Sequence, residues 1–274
     1  KIRVDPVSKS LVDSAGHTYL FHGVNVGYKV APFAPPNIDT FNYDNSFCDV
    51  DAQNLRNWGV NFVRLTFYWE AVEPVRGQFD LAYLARLRQI TDLCQKYGIY
   101  VLLDLHQDVA SRKTCGEGMP DWAVKDYDTL LTKFPAPMYN LKIEYGPDGY
   151  PTKESCLENL FASYYNTYAV QDSYQRLYTN EDGIGDEFRK MWKLVASKFV
   201  DAENVIGYEI INEPYVGNTF QHPGILIKDQ FLLPFYQSVN AAIREVDQET
   251  IIFYEYPLTD YLLRSFHGTP GGPE

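Results

Sequence analysis

Residues 205–214 read VIGYEIINEP. Two apolar pairs surround a small polar core, and a carboxylate followed by proline closes the run. Such a segment fits a strand buried on both faces, as in parallel sheets. Proline ends it because it has no N–H to give a ladder. A parallel strand requires a crossover on either side, and the flanks supply them. Upstream, Phe188, Met191, Trp192, Val195 and Phe199 fall on one helical face; downstream, Phe231, Phe235, Val239, Ile243 and Val246 do the same. Thr250 to Tyr256 (TIIFYEY) then reads as another strand.

The same alternation runs back toward the start. Leu20 to Asn25 (LFHGVN) reads as the first strand, and Asp51 to Trp58 as a helix closed by Gly59. Asn61 to Phe67 (NFVRLTF) reads as the second strand. Leu81, Leu84, Leu87, Ile90, Leu93 and Tyr97 mark a helix stripe ending at Gly98, and Ile99 to Leu105 reads as the third strand. From about 107 to 183 the alternation is lost in turn-forming stretches such as FPAP and EYGPDGYPTK, with helix expected around Leu157 to Tyr168. No GxGxxG or GxxxxGK[ST] follows the first strand, which removes the best evidence for a dinucleotide or P-loop fold. Five strands in βα order point to the front part of a (β/α)₈ TIM barrel, about strands one to five. Residues 1–274 are read as the N-terminal part of one catalytic barrel, with a long rim insertion at about 107–183.

Lys and Arg total 24 against 36 Asp and Glu, a formal net charge of −12. Such a surface repels phosphate, so nucleic acid and anionic membrane surfaces are poor partners. Hydrophobic residues make up 45%, enough for a core, and no run is long enough for a transmembrane helix. The rings number 22 Tyr, 16 Phe and 4 Trp, which suits either a large core or a sugar- or lipid-facing surface. Cys48, Cys94, Cys115 and Cys156 include no CxxC pair, which argues against structural zinc. Cys94 is expected as a buried thiol. Cys115 and Cys156 lie in the loop-rich stretch, either as a disulfide or as two free thiols.

In a barrel of this kind, functional groups gather where strands end and βα loops begin. Asn25 ends the first strand with Lys29 just beyond, Arg64 lies on the second, LDLHQD ends the third and NEP ends the fourth. Glu213 is the candidate general acid, delivered into the barrel mouth by an apolar strand. Glu209 shares its parity and needs a cation such as Arg64, a pair read as structural. Period-2 alternation puts Asp104 and His106 on one face. His106 has no second histidine at ligand spacing, so substrate hydrogen bonding is preferred over a metal, and no metal or organic cofactor is expected. Asp108 follows the strand end. Trp122 offers a ring either to a sugar face or to packing beneath the long loop.

FHGVN, VRL, LDLHQD and EIINEP, in this order, resemble the retaining glycosidases of glycoside hydrolase family 5. The GVN-x-x-YK start, LDLHQD and MPDWA are most similar to its endoglycoceramidase branch, whose members cleave between oligosaccharide and ceramide. The resemblance implies Glu213 as acid/base, Asn212 holding the sugar 2-hydroxyl, and Arg64 supporting the nucleophile. It implies sugar binding by Lys29, Asp104, His106, Asp108 and Trp122. The family's nucleophile stands at the end of strand seven, and no glutamate of this chain matches it; Glu255, on the fifth strand, is not the equivalent. Strands six to eight are therefore expected from a second chain, the C-terminal half of the same precursor nicked near GTPGGPE, or from a further C-terminal segment of an intact chain. The partners expected are that second chain and a glycosphingolipid or oligosaccharide, in a secreted or lysosome-like compartment. The rival readings are a β-1,4-glucanase and a non-catalytic glycolipid-binding protein.

Overall fold

The computed structural model describes residues 1–222 and 227–257. Its centre is a five-stranded parallel sheet in strictly sequential order: β1 (Gly23–Val26), β2 (Phe62–Phe67), β3 (Tyr100–Leu105), β4 (Val205–Glu209) and β5 (Ile251–Phe253). A short antiparallel pair, Arg3–Val4 with Leu11–Val12, precedes it. β4 is buried along its whole length and β3 at all but its first residue. That explains why both read as unbroken apolar runs rather than as alternations. The expected end 257–274, including GTPGGPE from 268, lies outside the described residues apart from Pro257.

The crossovers are α1 (Asp49–Asn57), α2 (Leu81–Lys96), α3 (Tyr168–Tyr178), α4 (Ile184–Phe199) and α5 (Leu233–Arg244), the last entered through a π-turn at Lys228–Leu232. Asp80 caps α2 by accepting from the Tyr83 amide at 2.9 Å. Gly59 and Gly98 follow α1 and α2 at φ 83° and 66°, the left-handed closure their positions imply. The stripe predicted for α4 is buried at Phe188, Met191, Trp192, Val195 and Phe199. On α2 the stripe is rotated slightly: Leu81 is exposed, while Tyr83, Thr91 and Cys94 complete the buried face. Cys94 is a buried free thiol whose pKa burial pushes up to about 12.

The excursion after β3 is built differently from its sequence reading. The helix expected around Leu157 to Tyr168 is a short helix at Lys153–Leu157 and a 3₁₀ stretch at Phe161–Asn166. The longer helix, α3, begins only at Tyr168, and every residue from Ala169 to Tyr178 is buried. Its polar side chains are buried with partners: Gln171 donates to Tyr165 O at 3.1 Å, and Asp172 accepts from Asn218 at 2.8 Å. Such a helix has no polar outer face: its apolar stripe of Ala169, Val170, Tyr174, Leu177 and Tyr178 is backed by polar residues that are buried too. Cys115 and Cys156 are joined in a disulfide, with Cα atoms 5.5 Å apart.

Candidate active site

The end of β4 holds the site together through backbone that has left the ladder. Ile210 N–H still reaches Phe253 O at 3.1 Å and Asn212 N–H reaches Leu105 O at 2.9 Å. Trp192 Nε1 donates to Ile210 O at 3.0 Å, so that carbonyl is satisfied too. Glu213 then turns into the left-handed region at φ 40°, a conformation that costs a non-glycine residue about 1–3 kcal/mol. What holds it is Gln107, buried just past β3. Its Nε2 donates to Asn212 O at 2.7 Å and Glu213 O at 3.2 Å, while its Oε1 accepts from the Ala110 amide at 3.1 Å and from the Tyr174 hydroxyl. Nothing in the sequence singled out Gln107; two rigid carbonyls at a strand end are the feature it answers.

Arg64, pointing from the middle of β2, gathers the strand ends. Its Nε and Nη2 donate to Glu209 at 2.7 and 2.9 Å, and Nη2 also donates to Asn212 Oδ1 at 2.8 Å. Asp104 lies 3.0 Å from Nη1 and Glu255 lies 3.6 Å from Nη2. The bidentate geometry is the one a guanidinium forms with a carboxylate. The Arg64–Glu209 pairing expected from the sequence is present. Strict alternation is not: Glu209 and Asn212 are three apart and still reach the same guanidinium, because the chain stops being a strand after Glu209. Glu255 is an addition to the expected set. Burial first, then the neighbouring Glu209, raises its pKa to about 8.

A second polar group lies beyond β3. His106 Nδ1 stands 2.8 Å from Asp104 Oδ2, and its Nε2 is buried without a hydrogen bond, 3.4 Å from Asp108. Lys29 pairs with Asp108 and lies 3.0 Å from Glu117 Oε1. Burial opposes charge on His106, but the hydrogen bond to Asp104 and the charges of Asp104 and Asp108 outweigh it and lift the pKa to about 9. Burial also opposes the Asp108 charge, yet His106 and Lys29 hold its pKa at about 2. Glu117 goes the other way: burial and the Asp108 charge push it up to about 7. Ligand atoms of His106, Asp108 and Glu117 lie within 4.8 Å of one another, a spacing a metal would accept. The cation between the two carboxylates is the Lys29 ammonium. Lys29, Glu117, Glu70 and Arg112 line one cavity of about 460 Å³.

Two residues past Glu213 the surroundings are aromatic. Tyr215 stacks on Tyr165 at 5.9 Å with the rings 13° apart, and Tyr165 meets Phe161 edge-on at 6.2 Å. Phe161 is 44% exposed, and Leu157 and Leu160 beside it are 74% and 75% exposed. Trp122 stands apart from this row. Its Nε1 donates to Glu73 O at 3.0 Å, its ring meets Trp69 edge-on at 5.2 Å, and the Arg76 guanidinium lies 5.6 Å from its centroid. Asn212, Arg64, Asp104 and His106 thus form one connected network, Asp108 and Lys29 extend it, and Trp122 packs in a separate cluster.

Residues 27–258 match the family model described as Cellulase (glycosyl hydrolase family 5). The endoglycoceramidase of Cyanea nozakii is 39% identical over 279 aligned residues, covering 99% of this chain and 54% of that protein. The endoglycoceramidase of Hydra vulgaris is 39% identical over 277, covering 100% and 53%. Among solved structures, endo-glycoceramidase II from Rhodococcus sp., as its five-membered iminocyclitol complex, superposes with a TM-score of 0.70 at 27% identity, over 92% of this chain and 51% of that one. The chain spans about half the length of the curated relatives it matches. The sequential parallel sheet is accordingly the front part of a (β/α)₈ barrel. With most of its length matched by the family model, and with relatives and fold agreeing, the chain belongs to glycosyl hydrolase family 5.

Proposed function

We propose that the full-length protein is a retaining endo-β-glycosidase that hydrolyses the bond between glycan and ceramide in glycosphingolipids. The observation that carries this reading is that a polar cluster and an aromatic row meet near Glu213, where the Tyr165 hydroxyl accepts from the Val109 amide, next to Asp108, at 3.3 Å. The cluster holds His106, Asp108 and Lys29, which would bind hydroxyls; the row of Tyr215, Tyr165 and Phe161 leads to exposed Leu157 and Leu160. A glycolipid is a polar headgroup joined to an apolar tail, and the bond to be cut lies at that junction. Glu213 protonates the leaving ceramide oxygen and later deprotonates water. Asn212, held by Arg64 and by Gln107 O at 3.0 Å, presents itself to the 2-hydroxyl. The Nε2 of His106, 3.4 Å from Asp108, donates to a second hydroxyl. Trp122, with one flank under Arg76, adds a ring at the rim of the sugar site.

Retention requires a second carboxylate about 5–5.5 Å from the first. We assign it to a glutamate on strand seven, outside these 274 residues, in a C-terminal half of the same precursor that closes the barrel as a continuation or as a second chain. Relatives of about twice this length support that assignment. The domain is then one catalytic barrel carrying residues 107–183 on its rim. A secreted or lysosome-like setting suits a His106 that stays charged and a Glu117 that takes a proton below about pH 7.

The test is Glu213→Gln in the full-length enzyme with a fluorescent lactosylceramide. Turnover is expected to fall about 10²–10⁴-fold with KM little changed, since general acid–base catalysis supplies that much. Undiminished turnover removes Glu213 from the chemistry, and binding without turnover by the unmutated protein leaves a glycolipid-binding protein. The description of the matching family model favours one rival, a soluble-glucan hydrolase. Cellohexaose cut with a higher kcat/KM than lactosylceramide would establish that rival instead.

A further inference from the structure

A cavity of about 420 Å³ in the rim excursion carries a charge opposite to that of the molecule. Its lining includes Lys113, Lys125 and Lys133 against one carboxylate, Asp126, so three positive charges less one leave two, in a chain whose net charge is −12. Lys113 is the committed one: Nζ donates to Val124 O at 2.9 Å and pairs with Asp126 Oδ1 at 2.8 Å. Among the described residues, Lys125 and Lys133 meet rings instead of carboxylates, with Nζ 5.7 Å from the Tyr127 centroid and 5.9 Å from the Tyr145 centroid. Both rings are pinned by their hydroxyls, Tyr127 to Asp172 and Tyr145 to Phe134 O at 2.9 Å. Two ammonium groups thus stand over a fixed aromatic wall, where the one carboxylate of the lining, Asp126, is paired with Lys113, and an anion placed there relieves their mutual repulsion.

We infer that this cavity is a binding site for an acidic saccharide, one bearing a carboxylate or a sulfate ester. The volume falls within the range of small-ligand sites, about 300–1,000 Å³. Ammonium groups pair with the acid, and the tyrosine faces cover the apolar C–H face of a pyranose. The position suits a glycan that reaches outward from the cleavage point. The 3₁₀ turn Arg112–Thr114 separates this cavity from the one holding Lys29 and Glu117, with Arg112 lining one and Lys113 the other. The inference rests on the glycolipid reading for the direction from which the sugar arrives, and not for the binding itself.

The experiment is calorimetric titration of the full-length protein with lactose, 3′-sialyllactose and 3′-sulfolactose at low ionic strength. It is done for the unmutated protein and for the Lys125→Gln/Lys133→Gln double variant, and glycolipid turnover is measured in parallel. Either acidic sugar is expected to bind about ten-fold more tightly than lactose. In the double variant that advantage disappears while the lactose Kd is unchanged, which also reports an intact fold. Equal Kd values for all three sugars in the unmutated protein overturn the site, as does an advantage that survives the double substitution. Sodium sulfate that displaces the acidic sugars as well as they displace each other overturns the saccharide assignment. Absent turnover with the advantage intact removes the hydrolase reading alone.

Discussion

Glu213 keeps its place through its neighbours. Its left-handed backbone would relax if the two carbonyls before and at it were released, and Gln107 is the side chain that holds both. Gln107→Leu is expected to cost about 1–3 kcal/mol by stranding buried polar groups. On the proposed acid/base role of Glu213 it should lower kcat more than it raises KM, since Glu213 is displaced while His106, Asp108 and Lys29 stay; denaturant unfolding and steady-state kinetics measure the two effects. Arg64→Met is expected to destabilise by about 3–5 kcal/mol, because Glu209 and Asp104 would be left buried without their cation. Of these residues, Arg64, Glu209 and Asp104 were legible because each is a charge inside an apolar strand, and His106 because it follows β3 in phase with Asp104. Gln107 and Glu117 were not. A neutral amide and a glutamate in a loop acquire their importance only when a strand end and Lys29 are brought beside them.

The elements follow the same division. β3, β4, α2 and α4 could be read because burial of one face or of both leaves a simple pattern. α3 escaped because all of its faces are buried and its polar side chains are answered by tertiary hydrogen bonds that no local pattern foretells. The excursion that contains it is tied down by Cys115–Cys156, half-cystines 41 positions apart in sequence. Removing that tie with Cys115→Ser/Cys156→Ser is expected to cost about 2–4 kcal/mol in thermal or chemical unfolding. Glu117 is two residues from Cys115, so KM for the glycan should rise as well. A variant with unchanged stability and KM would show that the excursion is anchored by its packing alone.

At the scale of the molecule, the polar cluster makes stability depend on pH with a definite sign. The folded His106 pKa of about 9 lies above its ordinary 6.5, so its contribution is complete below pH 6.5 and lost as pH rises through 9. Asp108, held at about 2 against 3.8, contributes above pH 3.8 and is lost as pH falls through 2. Glu117, raised to about 7 from 4.5, destabilises the fold as pH climbs between those values. The sum predicts a Tm maximum at about pH 4–5 and a decline toward pH 9. Glu117→Gln should flatten the fall between pH 5 and 7. A Tm that rises through that interval would contradict the balance drawn here.

The chemical role of Glu213 is the claim on which the rest depends. It is tested most directly by azide rescue of Glu213→Ala in the full-length enzyme, using an activated aryl β-lactoside that needs no protonation to leave. The prediction is slow turnover that azide accelerates, with β-lactosyl azide as the product, because the anion attacks the glycosyl-enzyme intermediate from the face the acid/base has vacated. Turnover equal to that of the unmutated enzyme, or an α-configured azide, would contradict it.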